Sequence, residues 1–565
     1  MALSPSTAPA ASVQPPAPAA RRPFRPWPWS PWSVHLLLAG LAIAGPLAMV
    51  LASLFQTPSE GWTQTSATTI RGYVTNSLVL LAGTALVTSV VGVATAWFIA
   101  ACDFPGRRIL GWLLVIPLAL PAYVVAFGYG DLLDHLIPIV IWMRTHWGID
   151  AARAGHDVLR YAAVIAVLSS VLYPYVYLAA RTAFATQSRT ALEAARMLGC
   201  GPGAAFFRVT LPLAWPAIIG GVILVGMEVM NEYGAVEHFG IPTLTIGIFR
   251  FWFSFGDPDS AARIASCALL VTFLLLGAER LSRGRRRFTE AGGSTAPLMR
   301  YRLRGWRAVT AITVCVLPVL VGFAMPTGRL LWWSGHVGAS AWEGEFVRQI
   351  IHTLLLAGGT TLLVVMAALT LAYTERLHSQ RAVRWVSRVA VLGYAIPSAV
   401  LALGLLRSLG LMDKGLGSVF GASGHAVIGL LLSGSVAALM FAYSARFLAV
   451  AFLPAQAGLK RVCGDLDASA RCLGASPIRT LLRVNLPLLR PTLWGAAILV
   501  FVDILKELPL TLLLRPFNME TLATRAFNLV DQGRVPEAAP ACLLIVATGL
   551  VGVFVLNRML EKTAP

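Results

Sequence analysis

The chain has 565 residues, of which 57% are hydrophobic and only 13% charged, and its mean hydropathy is +0.72. A soluble domain carries about 25% charged residues, so this composition excludes a water-soluble enzyme or binding module and indicates a polytopic membrane protein. The formal net charge of +19 does not indicate nucleic-acid binding, because the 45 basic residues are spread over short loops rather than gathered on one face.

Residues 1–33 hold nine prolines among alanines and serines, a composition that cannot bury a core, and are expected to form a disordered tail. From there apolar segments long enough to cross roughly 30 Å of hydrocarbon recur near 34–55, 74–101, 109–130, 161–181, 213–232 and 263–279. A second series follows near 308–325, 349–373, 385–407, 425–445, 492–509 and 540–557. The first is read as an uncleaved span, being longer than the apolar region of a signal peptide. Arginine density alternates from loop to loop. Arg107 and Arg108, the stretch Arg181 to Arg208, nine arginines between Arg280 and Arg307, Arg376 to Arg384, and seven basic residues from Arg446 to Arg490 all fall on one side. The positive-inside rule makes that side, and both termini, cytoplasmic.

The chain repeats itself at an offset of about 275 residues. RMLGCGPGAAFFRVTLPLAWP (196–216) lies on RCLGASPIRTLLRVNLPLLRP (471–491), and LALPAYV lies on YAIPSAV, which sets Pro121 on Pro397. Six spans separate equivalent positions, so the copies share one orientation about an axis along the membrane normal. The expected organisation is a tail over 1–33, a first half over 34–279 with its core repeat at about 71–279, an Arg-rich cytoplasmic linker over 280–307, and a second half over 308–565 with its core repeat at about 348–558.

Both long inside loops carry a short helical segment with small residues, then a glycine, then Leu-Pro about a dozen residues on. In the first copy these are Glu193, Ala194, Ala195, Gly199, Leu211 and Pro212; in the second, Ser469, Ala470, Gly474, Leu486 and Pro487. Glycine breaks the helix and the prolines open the next span. The pattern resembles the EAA loop of ABC importer permeases. The resemblance implies an all-α membrane protein of about 12 transmembrane helices in two homologous parallel six-helix halves, a type I importer permease in a bacterial inner membrane. It also implies that each loop docks on a cytoplasmic ATPase subunit. One departure is plain: the position of Glu193 is Ala468 in the second copy, with Asp467 one residue earlier, so a carboxylate contact to the ATPase would be asymmetric or lost there.

The segments MEVMNEYGAVEHFGIPTLTIGIFRFWFSFGD (227–257) and DILKELPLTLLLRPFNMETLATRAF (503–527) are similar to fused two-copy permeases for ferric iron. That resemblance implies an external solute-binding protein, two ATPase partners that use ATP and Mg, and no cofactor on this chain. Thiamine, sugar-phosphate and phosphonate importers share the fused plan and stay open as alternatives, as does a secondary transporter of twelve spans; a membrane transferase is the third class.

Independently of any family, the fifth span of each half holds ionisable residues that are costly in hydrocarbon: Glu228 and Glu232 in one, Asp503, Lys506 and Glu507 in the other, coinciding under the repeat. A spacing of four places each acid pair on one helix face, and the pseudo-twofold axis brings four carboxylates toward one central path that favours a cation. The competing reading is structural, with Lys506 neutralising Asp503 at i,i+3 and the other acids bonding backbone. Tyr233 and the polar, Gly-rich stretch after it are read as an external gate. Asp131, Asp134, His135, His146, Asp150, His156 and Asp157 offer hard donors in an outer loop but no fixed ligand spacing. No phosphate-binding G-x-x-x-x-G-K-[ST] occurs, and none of the four lysines follows a glycine, so this chain is not expected to hydrolyse ATP.

Overall fold

The computed structural model describes residues 30–64, 67–130, 132–186, 197–199, 201–284, 300–337, 344–378, 380–419 and 432–563. Among them the fold is all-α, apart from a two-residue parallel pairing of Cys102–Asp103 with Tyr301–Arg302. Among the described residues ten helices are long and apolar enough to cross a membrane, and two bent helix pairs bring the number to as many as twelve.

The two halves repeat the same packing. Ala67–Ala101 lies along Ile149–Thr186, which in turn holds Leu211–Asn231; Gly344–Leu377, Val436–Arg461 and Leu486–Leu505 stand in the same relation in the second half. The first helix of each half crosses to the other. Pro31–Ala52 packs on Arg381–Ala390 and Ser398–Val419, while Trp306–Val319 packs on Ala67–Ala101 and Arg107–Leu113, and Met325–Val337 packs on Ala122–Gly128 as well as on Val535–Thr563 of its own half. On the crossing face of Pro31–Ala52, Leu36, Ile43, Leu47 and Val50 are buried, the tight packing on which helix association in lipid depends.

Several boundaries differ from the hydropathy reading, each for a physical reason. The segments read as continuous spans at 109–130 and 385–407 are bent, by 91° between Arg107–Ala119 and Ala122–Gly128 and by 112° between Arg381–Tyr394 and Ser398–Gly415. The repeat-related Pro121 and Pro397 sit at the bends; proline supplies no N–H and drives the preceding residue into extended backbone, as at Leu120 with φ −95° and ψ 128°. The span read at 425–445 runs instead over Val436–Arg461, because Arg446, taken as a loop residue, is inside the helix and buried. The spans read from 213 and 492 begin at Gly203 and Pro477. The Leu-Pro pairs do not open them. The helix passes through Phe206–Thr210 and Leu481–Asn485 in wider π-turns, which relieve the bond that Pro212 and Pro487 cannot donate. The outer loop holding His135 to Asp157 is itself helical, over Leu132–Trp147 and the start of Ile149–Thr186.

Because each half contributes a helix to the other, cutting the chain between residues 292 and 293 and co-expressing the two pieces should give a complex that stays together through detergent purification. Size-exclusion chromatography reads this directly, and separate elution of the two pieces would contradict the exchanged packing.

Candidate functional site

In both halves the helix carrying the acids ends at the middle of the protein. Leu211–Asn231 stops where Glu232 turns extended, and Leu486–Leu505 stops at Lys506. The residues after each stop make a short helix, Gly234–His238 and Pro509–Leu514. The acid at the break caps that short helix: Glu232 accepts the Ala235 N–H at 2.9 Å, and Glu507 accepts the Leu510 N–H at 3.3 Å. The second acids of the sequence pairs therefore lie just past the helix ends.

Glu228, Glu232, Asp503, Lys506 and Glu507 nonetheless line one cavity of about 90 Å³ between the halves, with Tyr233, Tyr175, Tyr394 and Asn231. Its walls cross-link the halves. Asn231 of the first half accepts the Ser398 N–H of the second at 2.8 Å, and Tyr394 donates to Glu228 at 3.3 Å. Lys506 pairs with Asp503 at 2.9 Å, the contact expected of i,i+3 neighbours.

Sequence reasoning missed Arg446. It lies 3.3 Å from Glu507 with both side chains about 5% exposed, donates to the Ile396 carbonyl at 2.9 Å, and shares Glu507 with the Ser398 hydroxyl at 2.6 Å. Its repeat position is Val171, and that of Lys506 is Asn231. The second half thus supplies both cations, each tied to a second-half acid. Glu228 and Glu232 have no ion-pair partner among the described residues. No three His, Cys, Asp or Glu side chains among the described residues converge as metal ligands, and in the outer helices Asp150 and Asp157 pair with Arg153 and Arg160 at 3.7 and 3.4 Å, while His146 stacks on Trp142.

Tyr233 stacks on Phe249 with ring centroids 3.9 Å apart and lies 5.4 Å from Phe527. It separates the charged cavity from a second, aromatic-lined cavity of about 420 Å³ that holds Phe249, Trp252, Phe253, Phe517 and Phe527.

At the far ends of the acid-bearing helices lie the two loop turns. Glu193, Ala194 and Ala195 fall outside the described residues. Gly199 and Gly474 both hold positive φ, 81° and 78°, a backbone that costs other residues about 1 kcal/mol or more. Gly474 closes the Gly464–Cys472 helix: its N–H bonds the Arg471 carbonyl at 2.9 Å and the Ala475 N–H reaches Ala470 at 3.0 Å, the paired bonds of a glycine C-cap. Met197, Leu198 and Leu473 beside the two turns are 84–89% exposed, an apolar surface repeated in both copies. Ser469 and Ala470 lie on the Gly464–Cys472 helix. Asp467 faces inward and pairs with Arg376 at 2.7 Å, so its carboxylate is taken up inside the protein.

Removing Arg446 alone would leave Glu507 charged and unpaired in the interior, a loss of about 3–5 kcal/mol. Arg446→Val, which copies the first half, should therefore lower the thermal stability of the purified protein, and Glu507→Gln added to it should recover much of the loss; no recovery in the double variant would contradict the pairing.

The family model for the binding-protein-dependent transport system inner membrane component matches this chain twice, over residues 90–287 and 364–564. The chain is 22% identical over 494 residues, 86% of its length and 90% of the relative's, to the Fe(3+)-transport system permease protein FbpB 2 of Haemophilus influenzae. It is 26% identical over 270 residues to the putative 2-aminoethylphosphonate transport system permease protein PhnV of Salmonella typhimurium, 45% of this chain and 96% of that one. To the molybdenum transport system permease protein ModB of Escherichia coli it is 33% identical over 206 residues, 34% of this chain and 86% of that one. With two matched copies, ten to twelve spans and the acid-bearing helix breaks between them, the chain belongs to the binding-protein-dependent inner membrane components: it is a fused, two-copy ABC importer permease, a multi-pass and non-catalytic subunit of the inner membrane.

Proposed function

We propose that this permease translocates a cation, with ferric iron as the best candidate, through the cavity between its halves, and that an ATPase subunit docks at each of the Gly199 and Gly474 turns from the cytoplasm. The observation that carries the cation reading is the charge imbalance of the cavity. Asp503 and Glu507 are matched by Lys506 and Arg446, which leaves Glu228 and Glu232 in excess. In a low-dielectric passage such an excess repels a free anion and attracts a hard cation. The Haemophilus relative, which spans both copies, is named for Fe(3+), whereas the relatives named for 2-aminoethylphosphonate and molybdenum cover less than half of this chain. The external solute-binding protein on which this family depends would deliver the cargo on the side opposite the turns, and the aromatic layer at Tyr233 would close the cavity toward that side.

The apolar side chains exposed beside both turns support docking there, since large apolar residues exposed together mark partner surfaces. The arginine-rich loops support the cytoplasmic assignment. Cys472, exposed at the end of the loop helix, tests it: an impermeant maleimide should label it in inside-out vesicles freed of ATPase and leave it unlabelled in right-side-out vesicles, and the reverse pattern would invert the orientation.

For the cargo, Glu228→Gln with Glu232→Gln should reduce uptake of radioactive ferric iron by the assembled importer at least about tenfold, the worth of one or two hydrogen bonds to a charged group, while the complex still assembles. Unchanged iron uptake in the double variant, or a wild-type importer that carries a phosphonate and ignores iron, would exclude the cation reading.

A further inference from the structure

We propose that Asp467 is a positioning residue that bolts the second loop helix to the Gly344–Leu377 and Pro477–Leu505 helices, so that the second loop moves with its half as one lever, through residues whose repeat positions in the first half carry neither an acid nor an arginine. The inference rests on the docking reading above for what pushes the lever, but the bolt itself belongs to this chain alone.

The observations are local and mutually consistent. Arg376, at the end of Gly344–Leu377, donates Nε to Asp467 at 2.7 Å. Its other nitrogens bond the Leu459 carbonyl, the Val462 carbonyl at 3.1 and 3.2 Å, and the Cys463 carbonyl at 3.4 Å, the chain leading out of Val436–Arg461 into the loop helix. Asp467 is 5% exposed and also accepts from Asn485 Nδ2 at 3.0 Å. Asn485 is fully buried and ends the π-turn just before Leu486-Pro487. One turn earlier on Gly344–Leu377, the Tyr373 hydroxyl donates to the Pro477 carbonyl at 3.1 Å, and Glu375 accepts from Gln456 at 2.8 Å. A buried carboxylate with an arginine and an amide on it is costly to separate, so the loop helix, the end of one span and the start of another are held as a unit.

At the repeat positions the first half has Ala101 for Arg376, Leu192 for Asp467 and Thr210 for Asn485. None of these can form the ion pair. The span behind the bolt is the one that ends at Asp503, Lys506 and Glu507, so what is fixed at the second loop is fixed relative to the charged wall of the cavity.

The test uses spin labels at Leu473→Cys, beside the turn, and Leu362→Cys, exposed on Gly344–Leu377, with Cys463→Ser and Cys472→Ser, in the full chain in lipid nanodiscs with and without its ATPase partner. In the otherwise native protein the interlabel distance should be narrow and indifferent to ATP with vanadate. Asp467→Asn should widen it even in the permease alone, leave the ATPase co-purifying, and lower cargo moved per ATP hydrolysed by about tenfold. Arg376→Lys, which keeps the charge but cannot reach the carbonyls, should widen it as well and serves if Asp467→Asn does not fold. A native distance that changes with nucleotide, or variants whose distance and yield per ATP match the native protein, would overturn the bolt. Loss of the ATPase from Asp467→Asn at unchanged distance would overturn it too, making the carboxylate an ATPase contact. A native chain that binds no ATPase would instead refute the docking reading, and the distance width in the permease alone would still decide the bolt.

Discussion

A helix that stops inside hydrocarbon leaves N–H and C=O groups that lipid cannot bond, and the centre of this protein is built around four such stops. Two are the bends at Pro121 and Pro397, and two are the helix ends at Glu232 and Lys506. The polar residues that look most expensive in the sequence are what satisfy them. Asn231 takes the Ser398 N–H, Arg446 covers the Ile396 carbonyl, and Glu232 and Glu507 cap the short helices that follow them. The cavity is the space these breaks leave, and its charge comes from the residues that make the breaks tolerable. Structural and functional readings of the acids therefore concern the same atoms, which is the arrangement expected where transporters build sites from broken helices at a repeat interface.

Duplication gave the two halves one backbone plan but not one set of charges. Arg446, Lys506 and the Arg376–Asp467 pair all belong to the second half, and their repeat positions are Val171, Asn231, Ala101 and Leu192. The second half is thereby neutralised in the cavity and braced at its loop; the first keeps two acids without ion-pair partners among the described residues, and its sequence has no ionisable side chain at the repeat positions of the brace. An importer assembled from two identical subunits could not divide these tasks, because every charge would appear twice about the axis.

What the sequence made legible was what depends on local pattern: the spans, the repeat, the matching prolines, and the coincidence of acids at one depth. The Lys506–Asp503 contact follows from i,i+3 spacing alone. Arg446 was missed because hydropathy scores a charged residue by its own cost and has no knowledge of Glu507, sixty-one residues away, which removes that cost. For the same reason the span was ended too early. The bends escaped because Pro121 and Pro397 stand within apolar runs of spanning length, and proline inside a membrane helix can either kink it or be absorbed. Phe206–Thr210 and Leu481–Asn485 show the second outcome. The exchange of first helices between halves was invisible because each half's boundaries in sequence say nothing about which half its first helix covers. In the first loop, Glu193 to Ala195 lie outside the described residues.

The same two helices connect the loops to the cavity. Gly203–Asn231 and Pro477–Leu505 are each 29 residues long, about 43 Å at the α-helical rise, and each runs unbroken from just past its positive-φ glycine to the break at its acid pair. A rigid element of that length converts a displacement at one end into a displacement at the other, without a chain of intermediate side-chain rearrangements. The π-turns at Phe206–Thr210 and Leu481–Asn485 lie within the first turns on the loop side, and Pro216 and Pro491 follow a turn or two further on, so the points of local give lie toward the loop end and the stretches that carry Glu228 and Asp503 lie beyond them. At the cavity, the bonds of Asn231 to Ser398 and of Tyr394 to Glu228 tie the end of the first of these helices to the bent pair of the other half.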